Sequence, residues 1–424
     1  MSDKPLPGDK VKIVTPDGVV EGVWMERPEL LSSDFITLKL SSGYNMGVDR
    51  KRILSMDVVS RHVPTSPPRR ESIKTSNKLP TVAVLSTGGT ISSRVDYQTG
   101  GVSAAVTAED LVAAVPEISE HANLSAKAVM NVMSEDMTPK KWVQMADAVV
   151  DALSDSDGVI VTHGTDTMHF STAALSFLLS GLGKPVVFTG SQRSSDRGSS
   201  DSFLNLFCSA VFAGGPIAGV SLVMHENMTD GACLAHRGVN VRKMHTSRRD
   251  AFQSINDAPL ARITIDGKIH VLNGKHKVRD NSLPDVKGGF EEKVGLLKVY
   301  PGMPADAIDY FVDKGYRGIV IEGTALGHVP TNSENNIIPG IERAVESGML
   351  LAMTTQCLYG RVHPHVYSNL RKLSSMGVVY CENMLSEVAY VKLMWVLSQV
   401  GDVKAASNML VSPVAGEITA RTEP

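Results

Sequence analysis

From Thr81 onward the chain repeats one three-part pattern: a short apolar run, a polar loop rich in glycine and hydroxyls, then apolar residues at helical spacing. Residues 82–85 run into Thr87-Gly88-Gly89-Thr90, residues 158–162 into His163-Gly164-Thr165-Asp166-Thr167, and residues 185–189 into Gly190-Ser191-Gln192-Arg193. Short apolar runs that alternate with helices predict a parallel sheet covered by helices, an α/β fold. Such sheets bind ligands beyond the carboxyl ends of their strands, where these loops fall. Helix starts are also legible. Thr138-Pro139 puts proline at a first helical position, and Trp142, Met145, Ala146, Val149 and Leu153 follow at the spacing of a buried face. Thr107-Ala108-Glu109-Asp110 reads as another start with an acidic first turn. Residues 385–399 read as a late helix.

At 424 residues the chain exceeds one ordinary core. Residues 1–60 predict a small SH3-like β-barrel: β-rich runs at 11–14, 19–25, 35–40 and 44–48 are separated by the turn signals Pro16-Asp17-Gly18 and Ser41-Ser42-Gly43. Residues 61–80, RHVPTSPPRRESIKTSNKLP, have too few apolar groups to bury and predict a linker. Its Arg61, Arg69, Arg70, Lys74 and Lys78 are either solvated charges or contacts for a partner such as RNA. A first α/β domain is expected over 81–265, a connection over 266–293 with a hairpin at Asp266-Gly267, and a second α/β domain over 294–424.

Several function classes lose support. A net charge of −3 gives no global basic field for nucleic acid. Cys208, Cys233, Cys357 and Cys381 form no CxxC pair, which predicts free thiols and no structural zinc. The start MSDKPLPGDK lacks an apolar signal core, and no apolar run approaches the ~18 residues of a membrane span; a cytoplasmic protein without membrane contact is expected. No metal site is expected: His225-Glu226 lacks the second histidine of HExxH, and His363-Pro364-His365 is a weak ligand pattern. There is no GxSxG elbow, no GxxxxGK(S/T) loop and no GxGxxG.

The loops leave chemistry open. Gly88 and Gly89 would suit an anion at a helix N-terminus. Alternatively they let a substrate approach the backbone while Thr90 offers a hydroxyl and the loop amides hold an oxyanion. Asp166 would bind an ammonium or orient a lysine, and Thr165 would relay a proton. His163 is a candidate base, although a histidine before glycine is more often structural. A threonine nucleophile needs a base. Lys243, in Arg242-Lys243-Met244-His245-Thr246, would serve if burial lowered its proton affinity; otherwise it is a solvated surface charge.

Thr87-Gly88-Gly89-Thr90-Ile91 and His163-Gly164-Thr165-Asp166-Thr167 resemble, in order and separation, the two signature loops of bacterial-type L-asparaginases. Met133-Ser134-Glu135-Asp136-Met137 is similar to that family's substrate loop, and Arg237-Gly238-Val239 followed by Lys243 resembles its lysine segment. The resemblance implies an asparaginase-like two-domain α/β core. Thr90 would attack the side-chain amide of L-glutamine or L-asparagine to form an acyl-enzyme, with Thr165, Asp166 and Lys243 handling the proton. Substrate would be bound by Tyr97, Ser134, Glu135, Gly89 and Gly164, together with Asp166. Glu135 stands where the family usually has glutamine.

A small β module ahead of such a core resembles the D subunits of archaeal glutamyl-tRNA(Gln) amidotransferases. That resemblance implies an ammonia-supplying chain, a homodimer within a heterotetramer that it forms with the amidotransferase E subunit. Glu-tRNA(Gln) would bind mainly through that partner, and ATP and Mg would act there, with no cofactor on this chain. The competing expectations are a free-standing cytoplasmic L-asparaginase and a catalytically inactive RNA-binding scaffold.

Overall fold

In the N-terminal segment, buried and exposed side chains alternate as a half-wet sheet requires. A computed structural model describes residues 5–25, 34–41, 44–61, 76–88, 94–95, 102–103, 115–193, 200–284, 286, 288–332 and 334–421. Strands β1 (Lys10–Thr15), β2 (Gly18–Met25), β3 (Phe35–Lys39), β4 (Asn45–Asp49) and β5 (Ser55–Ser60) form an antiparallel sheet in the order β4-β3-β2-β1-β5. Its core is Val11, Ile13, Ile36, Leu38 and Val48. The small β domain expected at the N-terminus is present, and β5 is a strand that the sequence pattern did not announce. Most of the expected linker lies outside the described residues, as does the helix start at Thr107.

The first α/β domain opens with β6 (Thr81–Ser86), the two-residue pair β7 (Arg94–Val95) and β8 (Val102–Ser103), and β9 (Asn123–Ala128). Helix α1 (Pro139–Asp155) follows, then β10 (Gly158–Thr162), α2 (Met168–Leu178), β11 (Pro185–Thr189), α3 (Ser202–Ala213) and β12 (Ile217–His225). The chain then adds β13 (Ala232–Arg237), β14 (Val241–Lys243), β15 (Phe252–Ser254), β16 (Ala261–Thr264), β17 (Ile269–Val271) and β18 (Lys277–Val278). The large sheet has the order β17-β16-β13-β12-β11-β10-β6-β9, with β18 on β12. Strands β10 and β11 are buried on both faces, which is why they read as unbroken apolar runs.

The parallel sheet expected from the pattern is present and is extended by antiparallel strands. β6, β9, β10, β11 and β12 are parallel, whereas β13, β16 and β17 pair antiparallel. A parallel neighbour needs a crossover of about a dozen residues. Residues 226–231 between β12 and β13 and residues 265–268 between β16 and β17 allow only hairpins, whereas β13 reaches β16 through the β14–β15 pair. β17 and β18 also lie in the segment expected to be a connection, and the hairpin at Asp266-Gly267 joins β16 to β17.

The second domain is a parallel sheet of β19 (Val294–Lys298), β20 (Gly318–Gly323), β21 (Leu350–Thr355) and β22 (Val379–Tyr380). Helices α4 (Asp309–Asp313), α5 (Ile338–Glu346), α6 (Ser368–Ser375), α7 (Ser386–Gln399) and α8 (Val403–Val411) accompany it. One apolar core crosses the domain boundary, joining Leu85, Val161 and Phe177 of the first domain to Val320, Leu350 and Trp395 of the second. The Phe177 and Trp395 rings stack at 5.7 Å. Burying side chains of this size contributes about 2–3 kcal/mol each. No helix among the described residues is long and apolar enough to cross a membrane.

Candidate active site

The ends of β6 and β10 are tied together before any functional group is placed. Thr87 donates to the Thr162 carbonyl twice, from its amide at 3.1 Å and its hydroxyl at 2.9 Å. Gly88 then takes φ +109°, and a Cβ there would lie 2.7 Å from the Val132 carbonyl oxygen. Only glycine satisfies both the dihedral and the close approach. Gly89, Thr90 and Tyr97 lie outside the described residues.

The loop after β10 is fixed from beneath by His163. The Trp142 indole donates to Ser171 Oγ at 2.9 Å, and Ser171 Oγ lies 2.9 Å from His163 Nε2. His163 Nδ1 is 2.6 Å from the Gly164 carbonyl oxygen. Donor logic assigns the chain: indole to hydroxyl, hydroxyl to Nε2, Nδ1–H to carbonyl. Burial pushes the imidazole down to about 4, so it stays neutral. This histidine shapes the loop, and its two nitrogens are occupied.

Gly164 admits the segment that carries Ser134. A Cβ at Gly164 would fall 2.8 Å from Ser134 Cβ and 2.9 Å from its Oγ. Thr167 Oγ1 donates to the Ser134 carbonyl at 2.5 Å, and Ser134 Oγ lies 3.5 Å from Glu135 Oε2. Ser134 is buried in a single 3-10 turn, Ser134–Asp136. The structure thus brings Gly164, Ser134 and Glu135 together.

Lys243 arrives from the end of β14. Its Nζ is 2.9 Å from Thr165 Oγ1 and 2.7 Å from Asp166 Oδ1. The lysine side chain is 10% exposed and the aspartate 67%. A lysine with a buried stem is held in one pose, while the carboxylate beside it is open to an incoming ammonium group. The solvated-surface reading of Lys243 is thereby excluded.

Sequence reasoning missed two residues behind Lys243. Glu387 Oε1 pairs with Arg242 Nη1 at 2.5 Å and lies 3.9 Å from His169 Nε2. Burial, followed by the positive charges of Arg242 and Lys243, pushes His169 down to about 3. Burial also raises the Glu387 carboxyl, against the pull of Arg242. These groups, with Lys298 and Glu322, line a cleft of about 710 Å³. A signal was available. Helix α7, SEVAYVKLMWVLSQ, is apolar nearly all round and must be interior; its Glu387 and Lys392 therefore need partners. Lys392 finds Glu417 at 2.5 Å, both fully buried.

His363 accepts the His365 amide at 3.2 Å within a turn. Cys208, Cys233, Cys357 and Cys381 are free, and only Cys357 is exposed.

The site and its scaffold have clear relatives. Residues 81–277 match the family described as "Asparaginase, N-terminal", residues 293–410 the "Glutaminase/Asparaginase C-terminal domain", and residues 6–59 the "GatD N-terminal domain". The glutamyl-tRNA(Gln) amidotransferase D subunit of Pyrococcus furiosus is 50% identical over 98% of this chain and 96% of its own length. The protein of the same description from Methanopyrus kandleri is 49% identical over 97% and 91%. Among solved structures, the thermostable L-asparaginase of Thermococcus kodakarensis superposes with TM-score 0.72 at 28% identity, covering 80% of this chain and 99% of that one. L-asparaginase I of Vibrio cholerae gives 0.69 at 29%, with the same coverages.

Proposed function

Since the chain belongs to the family of glutamyl-tRNA(Gln) amidotransferase D subunits, we propose that it releases ammonia from a side-chain amide for the conversion of Glu-tRNA(Gln) to Gln-tRNA(Gln). The observation that carries this reading is Lys243, held against Thr165 and Asp166 of the loop that follows β10. The GatD-type N-terminal domain supports delivery to a partner rather than simple degradation.

The contacts of Lys243, Thr165, Asp166 and Ser134 support the following route. The α-ammonium of L-glutamine or L-asparagine pairs with the exposed Asp166 carboxylate, and Ser134 and Glu135 contact its α-substituents. Gly164 leaves room for Ser134 to reach the substrate, Gly89 lets the substrate approach the backbone, and Tyr97 orients the nucleophile. An ammonium that claims Asp166 removes one of the two acceptors of Lys243. Nζ is then free to exchange a proton with Thr165 Oγ1. Thr90 Oγ attacks the amide carbon while its proton passes to Thr165 and Lys243. The C–N bond breaks, nitrogen takes a proton and leaves as ammonia, and water hydrolyses the resulting ester.

In this reading the chain binds no cofactor itself. The amidotransferase E subunit binds Glu-tRNA(Gln), uses ATP and Mg to activate the glutamyl carboxyl, and accepts the ammonia. The assembly is a cytoplasmic heterotetramer around a homodimer of this chain. The test is co-purification with an E subunit followed by an amidation assay with Glu-tRNA(Gln), ATP and glutamine. Formation of Gln-tRNA(Gln) only when both chains are present supports the proposal. Full glutaminase activity of the isolated chain, indifferent to its partner and to tRNA, contradicts it.

The close superposition on L-asparaginases favours one alternative, a free-standing amidohydrolase. It requires that deleting residues 1–78 leave turnover unchanged.

A further inference from the structure

Lys243 and the Thr165–Asp166 pair come from different elements of the first domain, and a carboxylate of the second domain holds the residue beside Lys243. Glu387 sits in the first turn of α7. Its Oε1 holds the guanidinium of Arg242, the residue before Lys243 in β14, at 2.5 Å. The same oxygen lies 3.9 Å from Nε2 of His169, the second residue of α2, which begins directly after the Thr165–Thr167 loop. Glu387 and His169 are 6% and 8% exposed, so the carboxylate end of the Arg242 pair is shielded from solvent.

Such a cluster is a costly way to hold two domains together. Desolvating an ion pair commonly consumes what the attraction returns, and Glu387 Oε2 and His169 Nδ1 have no partner among the described residues. Cohesion is already supplied nearby, where Phe177 stacks on Trp395 and the Phe170 and Tyr390 rings meet edge to face. What a buried charge pair adds beyond cohesion is a defined geometry.

We propose that Glu387 is a positioning residue for amide hydrolysis: by holding β14 through Arg242, it sets the reach of Lys243 toward Thr165 and Asp166. The proposal rests on the reading of Lys243 as the proton-handling group. A displacement near 1 Å costs on the order of 100-fold in rate.

The test uses the full chain in complex with its amidotransferase partner, assayed for ammonia release from glutamine. Glu387→Gln keeps the shape and removes the charge. It is expected to lower kcat about 10- to 100-fold with KM changed less than about threefold, and with the melting temperature nearly unmoved. Arg242→Met is expected to lower kcat by a similar factor, with some loss of melting temperature because it leaves the buried Glu387 carboxylate without its cation, and the double variant is expected to lose no more kcat than the worse single one. Should Glu387→Gln fold poorly, Glu387→Asp keeps the charge and retracts it by one methylene; a retained kcat there overturns the proposal. So does an unchanged kcat in Glu387→Gln, or losses that add in the double variant. Lys243→Met separates the two claims. If it retains activity, the reading of Lys243 fails. If it is inactive while Glu387→Gln is normal, only the positioning proposal fails.

Discussion

Lys243 Nζ and Asp166 Oδ1 lie 2.7 Å apart although 77 residues separate them in the chain. The contact joins the end of β14 to the loop after β10, and it brings Thr165 Oγ1 within 2.9 Å of the same nitrogen. A carboxylate, a hydroxyl and an amine thus converge at the carboxyl end of the sheet, where α/β folds place their ligands.

Removing the amine tests its role in proton transfer. Lys243→Met is expected to lower ammonia release about 10²- to 10⁴-fold, the range for loss of a general acid–base group. Stability should change by no more than about 1 kcal/mol, because Asp166 remains open to water. Steady-state kinetics and thermal melting on the same preparation check both parts.

Gly164→Ala places a methyl against Ser134, 2.8 Å from its Cβ. Either the Ser134 turn or the second loop must move, with an overpacking cost of about 1–3 kcal/mol. With Ser134 in its proposed role as a contact for the amide donor, the expected kinetic result is a rise in KM larger than the fall in kcat. An unchanged KM would show that Ser134 does not bind the donor.

Buried neutral histidines give the fold an acid limit. His163 and His236 are held at about 4 by burial, and His169 at about 3. Their folded values lie below the unfolded value near 6.5, so the unfolded chain binds more protons once the pH falls below 6.5. Stability is therefore fully present above about pH 6.5 and declines as pH drops toward 4, by at most about 1.4 kcal/mol per unit for each histidine. NMR spectra of chain labelled at histidine Cε1 should show these three rings unprotonated at pH 5.5. Titration of any of them near pH 6.5 would contradict its burial.

Lys392 and Glu417 are both fully buried and 2.5 Å apart. Lys392 also donates to the Ser412 carbonyl, and Glu417 accepts the Val414 and Ala415 amides. Lys392→Met leaves a buried carboxylate without its cation and is expected to cost about 3–5 kcal/mol. Adding Glu417→Gln should recover part of that loss. Denaturant unfolding of the single and double variants measures it.

The site was legible in proportion to how local its parts are. The loops at 87–90 and 163–167 could be placed at strand ends because each adjoins an apolar run too short for anything but a buried strand, such as GVIVT. Helix α1 was legible from Thr138-Pro139 and its five-residue apolar face, all of it buried. The pairing of Lys243 with Thr165 was not legible from residue pattern, because no local rule brings two distant loops together; there the resemblance to asparaginases supplied the expectation. Of the antiparallel part of the sheet, only the turn at Asp266-Gly267 was legible, for a related reason. β16 to β18 are only two to four residues long, too short to establish a period. Glu387 escaped because an acidic residue in a first helical turn reads as dipole compensation, and only the apolar surround of α7 marks it as interior.

The most direct test replaces the proposed nucleophile. Thr90→Ala, assembled with the amidotransferase partner, Glu-tRNA(Gln) and ATP, should lose Gln-tRNA(Gln) formation from glutamine while keeping it from added ammonium chloride. Glutamine-dependent amidation that survives in Thr90→Ala would contradict the threonine mechanism, and failure with ammonium chloride as well would contradict the division of labour between the two chains.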